Sequence, residues 1–232
     1  MKEIALPFNM ADFNNLSSVE VADKTLSEND KLTRALTILG PIFLKHSMNK
    51  SWGISLLHKH FEINEGEKPI QDVVVRGDRN AYITTPRNIS FEKSFFPAIF
   101  KIDGTDQLIP LEYSTDSSAQ LANKELKENP EFVKEFYQAL IGLDLKDNLG
   151  LVFGKKVNYN LELVEFNYTN RISVLEERPL EEVRNLKTIQ TSWFFSLDSK
   201  KLACVTKCLT RCIQDDSGNH NDDHAVYHDP NG

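Results

Sequence analysis

The sequence predicts an α+β fold: a curved, mainly antiparallel sheet, open or barrel-like, covered by N-terminal and central helices. Three observations lead there. Helical and strand textures come in blocks, as helices, strands, helices, strands, and not in the alternation that builds βαβ units. The strand blocks are punctuated by turn signals that close hairpins, such as "DGTD" at 103–106. No Gly-, Pro- or Ser-rich linker divides the chain, so residues 1–213 are expected as a single domain, with an acidic, His-rich tail at 214–232.

The elements follow in order. Residues 1–26 mix short apolar groups with Asn, Asp and Ser, and are expected as an arm packed on the body. Ser27 is a candidate N-cap, with Glu28 and Asp30 in the first turn. Leu32, Ala35, Leu36 and Leu39 then recur at helical spacing until Gly40-Pro41, where a break or kink is expected before a second short helix. "WGISLLHKHFEI", 52–63, reads as a strand, and "DVVVRG" and "AYITTPR" as two more around "GDRN". "SFFPAIFKI" and "QLIPLEYS" flank "DGTD"; their Pro97 and Pro110 point to edge strands or bulges.

A helical block comes next. "STDSSAQLANKELKEN" is weakly amphipathic; "PEFVKEFYQALIGL" is stronger, with Pro130 at the first helical position and Phe132, Val133, Phe136 and Leu140 on one face. Strand texture returns in "VNYNLELVEFNY" and "RISVLEERP", then a short helix in "PLEEVRNL". A last hairpin joins "TIQTSWFFSL" to "KKLACVTKCLTRCIQ" across "DSKK". Eight or nine strands result.

Charge and cysteine usage bound the function. The net charge is -7, which argues against a general nucleic-acid binder. Five Asp, with no Lys or Arg, lie in 214–232, so acidity describes the tail more than any binding surface. No apolar run approaches the roughly 18 residues of a membrane span, so no membrane partner is expected. No secretory signal is read at the N-terminus, and the three cysteines, all within 204–212, do not make a disulfide framework. Together these predict a cytoplasmic protein.

One stretch carries candidate chemistry. If 52–63 is a strand, Ile54, Leu56, His58, His60 and Glu62 share one face. Two imidazoles and a carboxylate are ligand types for Zn or Fe, and H-x-H on a strand presents two nitrogens side by side. If it is a helix, His58 and Glu62 pair at i,i+4 and His60 points elsewhere. The plainer alternative is a pair of hydrogen-bonded structural histidines, because H-x-H alone is an unspecific pattern.

The C-terminus offers a second cluster. Cys204, Cys208 and Cys212 are spaced by four, as are His220, His224 and His228. The cysteines fall on one face of a strand, where they serve equally as small buried hydrophobes. The tail reads either as a polar, disordered segment, or as a flap over the His58/His60 strand that adds His220 or His224 to the ligand set. P-loop, dinucleotide-binding, nucleophile-elbow and H-E-x-x-H signatures are absent.

Trp52, Gly53, Leu56, Leu57, His58, His60 and Phe61 form a W-G-x-x-L-L-H-x-H-F segment. It resembles one in uncharacterised, mainly fungal proteins of similar size. The resemblance covers about a dozen residues and implies no activity.

Two functions are expected in competition. One is a metal-dependent or His-mediated enzyme acting on a small molecule, with His58 and His60 on the ion, Glu62 as base or orienting group, and a pocket between sheet and helices. The other is a non-catalytic intracellular domain that binds a ligand or protein partner and keeps its histidines for structure.

Overall fold

The computed structural model describes residues 5–76, 79–88, 94–154, 161–168, 170–184 and 186–198, and the backbone of 201–213. Ten strands form one ring: β1 (Trp52–Leu56), β2 (Glu67–Arg76), β3 (Arg79–Asn88), β4 (Phe96–Ile102), β5 (Leu108–Ser114), β6 (Leu149–Phe153), β7 (Leu161–Tyr168), β8 (Ile172–Pro179), β9 (Thr188–Asp198) and β10 (Lys201–Ile213). The order around the barrel is β1-β6-β4-β5-β2-β3-β8-β7-β10-β9. It closes where β1 meets β9, at Ile54↔Trp193 and Ser55↔Ser192. Among the strand pairs of the described residues, β2·β5 and β7·β10 are parallel and the rest antiparallel. The mainly antiparallel sheet is therefore the expected one, and it curls into a barrel.

Among the described residues, six α-helices accompany it, α1 (Met10–Asn14), α2 (Val19–Ser27), α3 (Lys31–Lys45), α4 (Ser118–Glu128), α5 (Pro130–Leu143) and α6 (Leu180–Val183), with 3-10 turns at Glu28–Asp30 and Met48–Lys50. The α5 face expected from periodicity is the buried one, Phe132, Val133, Phe136 and Leu140, with Pro130 in its first turn. Phe43 of α3 meets Phe132 at 5.0 Å, Phe136 at 5.7 Å and Phe195 of β9 at 5.1 Å. Trp52 is fully buried in the same cluster and donates its indole N–H to Ala122 O of α4 at 3.1 Å.

Alternation along β1 separates two faces. Trp52, Ile54 and Leu56 join the cluster built with the helices. Ser55 and the following Leu57 line a cavity, which Leu56 between them also borders. The helices cover the outside of the barrel and the cavity is within it, so the pocket does not lie between sheet and helices as expected. Bare backbone at Gly53 of β1 and Gly150 of β6 lets neighbouring strands approach closely. A Cβ on Gly53 would stand 2.6 Å from Trp193 O and 2.7 Å from the Phe194 ring, and one on Gly150 would stand 2.1 Å from Phe100 O.

Several local expectations are corrected. Residues 10–14 and 19–27 are helical, so the N-terminal arm is structured; Ser27 ends α2 and holds the N-cap position of a 3-10 turn, Glu28–Asp30, with Glu28 and Asp30 in it as expected but no side-chain cap bond, and the residue before α3 is Asp30, in the left-handed region at φ 55°. Pro41 does not break α3. Burial of Leu39, Gly40, Ile42 and Phe43 offsets the lost hydrogen bond, a cost of about 3 kcal/mol. Residues 149–153, not expected as a strand, form β6. Pro97 begins a stretch of β4 with register shifts on either side of Ile99, the bulge anticipated for a strand carrying proline.

Candidate metal centre

The predicted strand over 52–63 stops at Leu56. Beyond it the backbone donors leave the sheet: Leu57 N–H bonds to Asn148 O at 2.8 Å and Lys59 N–H to Ser17 O at 3.0 Å. The segment thus crosses the barrel mouth toward the N-terminal arm. Asn14 secures it, donating Nδ2 to Ile63 O at 2.9 Å and accepting Ile63 N–H on Oδ1 at 3.0 Å. Phe13, Leu57, Ile63 and Leu111 bury one another there.

This turn still brings His58 and His60 together. Their rings stand edge to face with centroids 4.6 Å apart and Nε2 atoms 3.1 Å apart. Glu165 joins them from β7, with Oε2 3.1 Å from His60 Nε2. Donor atoms of His58, His60 and Glu165 all lie within 4.8 Å of one another, a group able to hold a metal ion. The His60 and Glu165 side chains are only 5% and 15% exposed.

Neighbouring groups orient the donors. His58 Nδ1 is 2.8 Å from Leu56 O. A carbonyl can only accept, so Nδ1 carries the proton and Nε2 of a neutral ring offers its lone pair. Ser173 on β8 donates its hydroxyl to Glu165 Oε1. These are the supports that fix tautomer and carboxylate geometry in metal sites.

Burial works against charge on His60, but Glu165, Glu112 and Glu20 more than reverse it and raise its pKa. Burial likewise opposes ionisation of Glu165; the imidazoles of His60 and His58 and the Ser173 hydroxyl overcome that and hold its carboxyl below the ordinary range. Without an ion the geometry favours a His60 imidazolium beside a Glu165 carboxylate.

Glu62 does not join the group. Its carboxylate is 64% exposed and pairs with Lys59. The chain leaves the strand after Leu56, so the alternation that aligned Glu62 with the histidines no longer applies. His220, His224 and His228 lie outside the described residues, as do the side chains of Cys204, Cys208 and Cys212. Glu165 is the residue that sequence reasoning missed. Its one signal is strand parity, which places it on the same face of β7 as buried Leu163.

The three donors lie on the wall of a cavity of about 50 Å³. Ser55, Gln71, Glu112, Thr191 and Ser192 supply its other polar lining. No helix among the described residues is long and apolar enough to cross a membrane. No known protein family, curated protein or solved structure matches the chain.

Proposed function

We propose that this protein is a metal-dependent enzyme acting on a small molecule, with Zn or Fe held by His58, His60 and Glu165. The observation that carries the reading is the convergence of these three donors on one cavity wall. The spacing suits an ion: two nitrogens 3.1 Å apart subtend roughly 100° at a metal held ~2.0–2.1 Å from each. Two imidazoles and one carboxylate leave coordination positions for water or substrate, the pattern of catalytic Zn sites and of non-haem Fe centres. A bound ion supplies Lewis acidity or an activated water. The protein's part is to orient His58 through Leu56, to orient Glu165 through Ser173, and to exclude bulk water with the 57–63 segment.

A non-catalytic ligand-binding domain is the second reading. It is favoured by the His60–Glu165 ion pair, which satisfies both charges without a metal. Elemental analysis of protein purified without a His-tag separates the two. Near-stoichiometric Zn or Fe, lost in His58→Ala/His60→Ala, is expected. Metal-free protein that takes up neither ion on dialysis counts against the enzyme.

A further inference from the structure

Beyond the metal donors, the cavity has polar lining on two opposite sides of the ring. Gln71 of β2 and Ser192 of β9 both line it, 7% and 3% exposed. Gln71 donates from Nε2 to Thr84 Oγ1 at 3.2 Å. That bond turns the carboxamide so that Oε1 is an acceptor with no hydrogen-bond partner among the described residues; Ser192 Oγ has none either. Buried polar atoms of this kind are costly unless a ligand or water meets them. Glu112 and Glu165 line the same cavity, and no Lys or Arg does among the described residues. This lining offers acceptors, so it selects hydrogen-bond donors; His60 or a bound ion offsets the charge of Glu165, so anions are disfavoured where His58 and His60 are replaced. The cavity is small, about 50 Å³.

We propose that Gln71 and Ser192, facing each other across the cavity, form the recognition subsite of the barrel, and that it takes a small uncharged molecule bearing N–H or O–H groups, of the primary-amide or short-diol class. A donor of that molecule meets Gln71 Oε1, and Ser192 Oγ supplies a second hydrogen bond. The proposal rests on the metal reading for what would be done to this molecule, but binding at Gln71 and Ser192 is measured apart from it.

The probes are acetamide and ethylene glycol, with acetone and acetate as controls that lack the donors. Saturation-transfer NMR titrations use the full chain, metal-loaded and as His58→Ala/His60→Ala. Both donor probes are expected to bind each form, with acetone weaker by about fivefold or more, the worth of one hydrogen bond. Acetate is compared on the double variant alone, where no ion can ligate it, and is expected to be weaker by the same margin. Gln71→Met keeps the side chain's length and removes the acceptor, and is expected to weaken acetamide by a similar factor while metal content stays at the wild-type level. If Gln71→Met does not fold, Ser192→Ala makes the same comparison. Acetone binding as tightly as acetamide, an unchanged affinity in the folded variant, or no probe binding to either form would overturn the subsite. A lack of metal with donor-selective binding intact would instead overturn only the enzyme.

Discussion

Glu165 reaches the centre from a strand remote in sequence from the two histidines, and its charge ties the group together. Glu165→Gln keeps its size and the Ser173 contact but removes the anionic ligand. Metal content measured by elemental analysis should fall by about tenfold or more, in the range seen when ligand geometry is disturbed, while far-UV circular dichroism stays unchanged. The same ion pair dictates a pH dependence. His60 has a pKa raised above the ordinary 6.5, so its contribution to stability is fully present below that value and is lost as pH rises through the higher folded value. Glu165 is lowered, so its contribution is present above the ordinary 4.5 and is lost as pH falls through the depressed value. In EDTA, the melting temperature should therefore decline on the alkaline side in the wild type, and this His60 component should vanish in His60→Gln. Metal uptake needs the neutral imidazole, so it should release protons and tighten as pH rises. Calorimetry in two buffers of different ionisation enthalpy measures that release; uptake without it would argue that His60 is not a ligand.

At the scale of elements, the closure of the barrel depends on strands that approach with no side chain between them. Gly150 of β6 faces Phe100 O so closely that a Cβ would lie 2.1 Å away. Gly150→Ala should destabilise by about 1–3 kcal/mol, the usual cost of overpacking, and lower the melting temperature accordingly. Gly104, with nothing within 4 Å of its Cβ position, is the matched control, and Gly104→Ala should leave the melting temperature nearly unchanged. These elements also show what could be read from the sequence. α5 and the β4–β5 hairpin were legible because a half-buried helix has a period and a tight hairpin has turn residues. β6 was not: all five of its residues are buried, and a strand covered on both faces has no alternation to detect. The N-terminal helices were obscured by their many Asn, Asp and Ser residues, and the path through Pro41 by a local rule that tertiary burial overrides. At the site, the H-x-H pair was legible because proximity along two residues survives a change of backbone. Glu62 was not placed correctly because its position depended on the strand continuing past Leu56.

On the scale of the whole molecule, the N-terminal arm and the 57–63 segment form one strap across the barrel mouth. Asn14 binds both backbone groups of Ile63, Lys59 N–H binds Ser17 O, and Asp12 pairs with Lys101 of β4. Phe13 of the arm shares a buried cluster with Leu57, Ile63 and Leu111. The arm supplies Leu16 to the cavity lining but none of the three donors, so loosening it should alter access before it alters the donor set. Asn14→Leu removes both hydrogen bonds to Ile63 and leaves side-chain bulk in place. Amide hydrogen exchange should accelerate in 57–63 by about fivefold or more, from the loss of about 1 kcal/mol or more of local hydrogen bonding, with little change in the β2–β3 hairpin. Chelator extraction of a bound ion should accelerate in step, while its equilibrium affinity changes less, because His58, His60 and Glu165 are untouched. Uniform acceleration across all strands would mean that Asn14 supports global stability, and the arm would then be a part of the core instead of a strap over the mouth.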